Sequence, residues 1–379
     1  MEALRIGRIF GIDIRIHWSW LAIFFLLLWW LSEGFFKDVS AYSHWAPAER
    51  WLASIITTIL FFVSILLHEL SHSIVARRLG LPVHSITLFI FGGVSSLTQE
   101  PDSPGQEFKM AIVGPLMSFA LGILAAAIAA GLWANGLDDT VPGAVAAYLA
   151  FINIAVGIFN MLPGYPLDGG RVLRATLWAR TNSMLRATRW AARVGTIIAF
   201  GLMALGVLSA LAGNWLGGVW FIVIGWFLRN TSEQAYQQLL YRNTLEGAKV
   251  GDIIDRSLEG VPPDIPLSEL VNDYILGRGQ RCVPVVVEGN LLGLITIGDL
   301  RSFPPDTWGT TSAFRAMTPR EQLYTVASGD ELMSALELMA ANDIHQLPVV
   351  DGYDFNGFVT RADVIRRIQT KAELAGLKE

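Results

Sequence analysis

The sequence predicts a polytopic α-helical membrane domain of about six spans, carrying a β-hairpin or re-entrant segment, followed by a cytoplasmic α/β tandem. Three observations predict it. Of 379 residues, 53% are hydrophobic, only 16% are charged and 13 are tryptophan, which is too little charge for a soluble chain of this length. The charge also divides at residue 245, with 16 basic and 13 acidic residues before it and 12 and 20 after it, as expected of two parts in different solvents. After about residue 245 the long apolar runs give way to short apolar segments that occur twice.

Apolar runs place spans near residues 18–36, 51–76, 110–134, 143–162, 190–212 and 215–229. Arg5, Arg8 and Arg15 precede the first, but "SEGFFKD" after it lacks the small-residue cleavage pattern of a signal peptide, so it reads as a retained anchor. Residues 82–98, "PVHSITLFIFGGVSSLT", are β-branched and aromatic around Gly92-Gly93 and too short for a span, which fits a hairpin or re-entrant strand. Gly114-Pro115 is expected to interrupt the third span, whose small residues permit close helix approach. The sixth run is the shortest and is joined to the fifth across "AGNW". Arg77, Arg78, Lys109, Arg171, Arg174 and the arginines from Arg180 to Arg242 fall on one side of this arrangement with the N-terminal three, leaving Lys37 and Arg50 on the other. The positive-inside rule then places both termini in the cytoplasm, and the expected location is the plasma membrane. Cys282 stands alone, so no internal disulfide forms, and it reads as a small core residue. A net charge of -5 gives no reason to expect a nucleic-acid partner.

The second run ends in "SILLHELSHSIVARR", residues 64–78. Ionisable groups at membrane depth cost several kcal/mol unless they are paired or ligating, so three together argue for a site. On a helix, His68 and His72 project from one face one turn apart, the H-E-x-x-H arrangement in which two imidazoles hold one tetrahedral zinc with Glu69 beside them. A third ligand is available in "FNMLPGYPLDGGRVLRA", where Asp168 follows Pro163 and Pro166 at the end of the fourth span. Arg171 and Arg174 mark the return to the cytoplasmic surface, so Asp168 and the histidine pair share a depth. With an open fourth position, such a zinc lowers the pKa of a bound water toward about 7, and Glu69 is placed to take its proton and pass it to a leaving amine. Asn160 is either a donor to the substrate or oxyanion or an interhelical hydrogen-bonding residue. Because helical amides are already paired, a substrate must be unwound, and an exposed edge within residues 82–98 would hold it extended.

"HELSH", "FGG" (91–93), "GPLMS" (114–118) and "NMLPGYPLDGG" (160–170) resemble the site-2 proteases, intramembrane zinc metalloproteases, over about residues 1–230. The resemblance implies that His68, His72 and Asp168 ligate one zinc per chain, that Glu69 is the catalytic base, and that Asn160 lies near the scissile peptide. It further implies a transmembrane protein substrate cut within the lipid bilayer.

Beyond a linker at 231–246, "RCVPVVVEGNLLGLITIGDL" (281–300) aligns with "HQLPVVDGYDFNGFVTRADV" (345–364) at a constant offset of 64. These segments resemble a pair of CBS domains, at 247–304 and 310–370, of which the first is degenerate in its early part. The resemblance implies an adenine nucleotide ligand, ATP, ADP or AMP, and a homodimer formed through the pair. Each repeat ends in Thr-x-x-Asp at a helix start, Thr296 with Asp299 and Thr360 with Asp363. The carboxylates suit ribose hydroxyls and the threonines phosphate, but the same residues serve equally as helix caps. The expected protein is thus a six-span zinc endopeptidase under CBS control. The rival is a CBS-controlled ion or metal transporter that uses the same polar residues as a transport site.

Overall fold

The computed structural model describes residues 3–97, 100–245 and 247–376. It divides into two compact units, one ending at Gln237 and the other beginning at Gln238.

In the first unit, five helices among the described residues are long and apolar enough to cross a membrane. They are α1 (Ser19–Asp38), α2 (Pro47–Arg78), α3 (Pro104–Ala134), α4 (Val141–Asn160) and α6 (Met184–Leu211). The shorter α5 (Asp168–Thr181) lies between the last two, and α7 (Trp215–Leu245) follows them. Starts are written locally. Pro47 and Pro104 occupy first-turn positions where no backbone donor is needed, and Ser103, Thr140 and Ser183 accept hydrogen bonds from first-turn amides. Outward side chains on the long helices are apolar, as with Ile123 at 65% exposed and Ile197 at 70%, the surface of a multi-pass membrane protein.

Two expectations change. Among the described residues five helices meet the length and hydropathy of a span, against about six expected from the sequence. The sixth run forms the first half of α7, whose apolar stretch closes at Arg229 and covers roughly 21 Å, short of a hydrocarbon core of about 30 Å. Pro115 does not break the third span: α3 runs through it from Pro104 to Ala134. Residues 231–245 continue α7 as helix.

The hairpin expected near 82–98 is present as β3 (Val83–Phe89) and β4 (Gly92–Leu97). Two strands unforeseen in the sequence join it, β1 (Ala3–Ile9) and β2 (Ile12–His17), in the order β1-β2-β3-β4. The outer pairs are antiparallel, and β2 pairs with β3 in parallel. The basic N-terminal flank had read only as a topology signal, since arginines hide the apolar alternation Ile12-Ile14 that seats β2. Those two isoleucines are buried with Ile86 of β3, Leu70 and Ala76 of α2 and Met110 of α3, which fixes the sheet against the C-terminal end of α2.

In the second unit, β5 (Cys282–Val287) and β6 (Asn290–Thr296) recur as β8 (Gln346–Asp351) and β9 (Asp354–Thr360), in a sheet ordered β5-β6-β9-β8 with β7 (Thr318–Pro319) on β6. The repeat extends to register. Pro284 faces Leu294 and Pro348 faces Phe358, and each hairpin is irregular one residue after that proline. Both prolines sit on outer strands of the four-strand order, where a missing donor is tolerated. The repeats differ in their first helices. Leu332–Ala341 is regular α-helix, whereas Leu270–Leu276 is wound as a π-helix, matching the degenerate sequence there. Cys282 is buried and free, and burial chiefly, with the Asp299 charge second, pushes its thiol up to about 12.

Candidate metal centre

Residues 64–78 fall within the unbroken α2, so His68 and His72 stand one turn apart, both buried. The chain returns to them after α4. Residues 161–167 form a non-helical connection, and Asp168 is the first residue of α5, with Leu167 before it in extended conformation. Asp168 Oδ2 lies 3.1 Å from His68 Nε2 and 3.2 Å from His72 Nε2, and the two Nε2 atoms are 3.2 Å apart. The three donor atoms form one cluster within 4.8 Å. Ligands about 2.0–2.1 Å from a tetrahedral ion lie about 3.3–3.4 Å from one another, so this triangle has nearly the size of one face of a zinc site.

The other ring nitrogens are tied down. His72 Nδ1 donates to the Met110 carbonyl at 2.6 Å, which leaves Nε2 without a hydrogen in the neutral ring and its lone pair free for a metal. His68 Nδ1 is 2.9 Å from Ser118 Oγ. Met110, Gly114 and Ser118 lie four residues apart on one face of α3, and Gly114 lies between the two anchors. A Cβ at Gly114 would collide with His72 Nε2 and sit 2.7 Å from His68 Nε2, so only glycine leaves room at the donor cluster.

Glu69 lies beside the cluster on α2. At Gly93 of β4 a Cβ would collide with Glu69 Cγ and come 3.0 Å from Cδ. The outer strand of the sheet thus runs directly against the glutamate. Glu107, fully buried on α3, bonds Arg174 of α5 at 2.6 Å through Nε and again through a terminal nitrogen, with Arg171 at 3.9 Å. Arg174 therefore does not mark the cytoplasmic surface as the sequence suggested. It is 5% exposed and clamps the start of α5, and so Asp168, to α3. Asn160 closes α4, half-buried, at the head of the connection leading to Asp168.

Sequence reasoning missed Met110, Gly114, Ser118, Gly93 and Glu107. Gly93, Gly114 and Ser118 stand within the motifs "FGG" and "GPLMS", which carry the resemblance without giving these residues a role at the site. Met110 acts through its carbonyl and leaves no side-chain signal.

In the second unit each Thr-x-x-Asp closes on itself. Asp299 Oδ2 accepts from the Thr296 amide and hydroxyl, both at 2.7 Å, and its Oδ1 from Thr318 Oγ1 at 3.2 Å. Thr360 Oγ1 donates to Asp363 Oδ2 at 2.5 Å and accepts from the Asp363 amide at 3.1 Å. Asp363 also lines an open cleft of about 730 Å³ with Ile253, Ile254, Asp255, Arg366 and Arg367.

Paired imidazoles on one helix, a carboxylate from a second segment and an adjacent glutamate, enclosed among apolar helices, make a candidate metal centre with a proton-accepting group beside it. The chain belongs to peptidase family M50. The model of Peptidase family M50 matches residues 56–147 and 139–202, and that of the CBS domain matches 250–306 and 314–370. Rip3 from Mycobacterium tuberculosis, provisionally named a zinc metalloprotease, is 35% identical over 370 residues, covering 97% of this chain and 93% of its own. Zinc metalloprotease MJ0392 from Methanocaldococcus jannaschii is 28% identical over 376 residues, covering 98% of each chain. The solved site-2 protease from Methanocaldococcus jannaschii shares 29% identity over 62% of this chain and 94% of its own, with a TM-score of 0.45.

Proposed function

We propose that this protein is an intramembrane zinc endopeptidase that hydrolyses peptide bonds in or near the transmembrane segments of membrane-bound proteins. The observation that carries this reading is the convergence of His68, His72 and Asp168 within 3.1–3.2 Å of one another, with Glu69 against an outer strand. His68 and His72 Nε2 and Asp168 Oδ2 would hold the zinc. A zinc ion there supplies a Lewis acid that polarises the scissile carbonyl and eases deprotonation of the attacking water. Glu69 accepts that proton and delivers it to the leaving nitrogen. The outer edge of β4, which pairs with no further strand among the described residues, takes an extended substrate as an added strand and so brings its backbone past Glu69. Asn160 donates its amide to the substrate carbonyl as charge develops.

Incubation of the reconstituted protein with candidate single-span proteins, with and without chelator, followed by fragment masses, tests this reading. Cuts in or next to the span that vanish with chelator are expected. Cuts unaffected by chelator would overturn it.

The proposed location is the plasma membrane with both termini cytoplasmic, which requires the apolar half of α7 to cross a locally thinned bilayer. The CBS pair is proposed to bind an adenine nucleotide at the Asp363 cleft and to control cleavage. Calorimetry with ATP, ADP and AMP measures it. Binding lost in Asp363→Ala is expected, and no binding of any of the three would reduce the pair to a docking or dimerisation module.

A further inference from the structure

The N-terminal hairpin carries a charged face that the protease reading does not use. β1 and β2 pair Arg5 with Arg15 and Arg8 with Asp13, and the register shifts between Arg5 and Gly7. In a regular strand, residues three apart point to opposite faces. The extra residue in β1 reverses that, so Arg5 and Arg8 point the same way, and Arg15 and Asp13, two apart on β2, share their face. The ion pairs agree. Asp13 lies 3.1 Å from Arg5, 3.7 Å from Arg8 and 3.9 Å from Arg15. Among the described residues one carboxylate serves three guanidinium groups, whose side chains are 56%, 62% and 45% exposed. Two positive charges are left over, and Arg5 stands directly across from Arg15, an unfavourable cross-strand pairing unless an anion sits between them.

The opposite face is fixed inward by Ile12 and Ile14, so this face cannot turn away from its surroundings. β2 ends at His17 and α1 begins at Ser19, which sets the cluster at the membrane boundary of the first span. Phe10 at the hairpin tip and Trp18 at the span are 71% and 72% exposed, as aromatic residues at a headgroup layer are. Arg77, near the end of α2, donates to the Phe10 carbonyl and adds a further cation at the hairpin tip.

We propose that Arg5, Arg8 and Arg15, gathered on one face by the bulge in β1, form a binding site for the phosphate of an anionic lipid headgroup. Guanidinium forks match phosphate oxygens, and Asp13 offsets only one of the three charges, so the face keeps a net positive charge for a headgroup phosphate.

Native mass spectrometry of the full chain, released from detergent with equal amounts of phosphatidylglycerol and phosphatidylcholine, reads lipid retention directly. Wild type is expected to retain phosphatidylglycerol several-fold over phosphatidylcholine. The triple variant Arg5→Gln/Arg8→Gln/Arg15→Gln is expected to lose that preference, while Arg180→Gln, an exposed arginine elsewhere, keeps it. Asp13→Asn removes the competing carboxylate and is expected to raise the preference, whereas a merely structural cluster would weaken. Equal retention of the two lipids by wild type, an unchanged preference in the triple variant, or a fall in Asp13→Asn would overturn the proposal. Zinc content reports whether each variant is folded, and Asp13→Asn carries the test if the triple variant is not.

Discussion

In the membrane unit His68 and Asp168 meet across 100 residues of chain, from two different elements, whereas in the second unit each threonine and aspartate close on one another across three residues. Both are small constellations of polar groups that include an aspartate in the first turn of a helix, yet they carry different amounts of information. A histidine at membrane depth has no water to fall back on, so its partners must be supplied by the fold. Thr-x-x-Asp in a solvated α/β module can satisfy itself as a helix cap and needs no ligand. The distant pairing therefore signals a site, and the local one is ambiguous until something binds.

The largest effect expected of that difference falls on the distant cluster. Asp168→Ala or His72→Ala removes one of three donors and should cost most of the bound zinc, as read by metal analysis of purified protein. If metal stays with both variants, the cluster is a hydrogen-bonded knot like those in the second unit.

Gly114→Ala sharpens the same point without touching a ligand. The added methyl collides with the two Nε2 atoms, so zinc affinity should fall about 10–100-fold while the fold persists, as measured by competition with a chelator.

Glu107→Gln leaves Arg174 buried without a counter-charge and should cost about 3–5 kcal/mol in thermal or denaturant stability. A loss below about 1 kcal/mol would mean that α5 is positioned by packing alone.

Smaller again, Asp299→Ala and Asp363→Ala should separate cap from cleft. The first should cost about 1 kcal/mol of the second unit's stability and spare nucleotide binding, since Asp299 already holds Thr296 and Thr318. The second should abolish binding. Cys282 reports on the same unit. With its thiol pushed up to about 12, it should resist alkylation near pH 8 until the unit opens. Its stabilising share is complete below the unfolded value of about 9 and is lost as pH rises toward 12.

Legibility followed the same division. The five long helices and the His68-Glu69-His72 pattern were readable because bilayer length and 3.6-residue periodicity leave few alternatives. The register of the two repeats was readable because identical residue types recur at one offset. Three kinds of feature were not. β1 and β2 are short and rich in arginine, so charge masked their alternation. Arg174 read as a surface residue because its partner, Glu107, lies 67 residues away. Gly114 and Gly93 matter for what they leave empty, and an absent side chain marks no chemistry until its neighbours are known.

In the proposed mechanism Glu69 moves the proton while His68, His72 and Asp168 hold the metal. Glu69→Gln tests it most directly, with zinc content and cleavage of one membrane-embedded substrate measured on the same preparation. Wild-type zinc content with cleavage reduced about 10²-fold or more is expected of a glutamate that acts as the base. Substantial cleavage by that variant, or an activity of metal transport that survives the substitution, would contradict it.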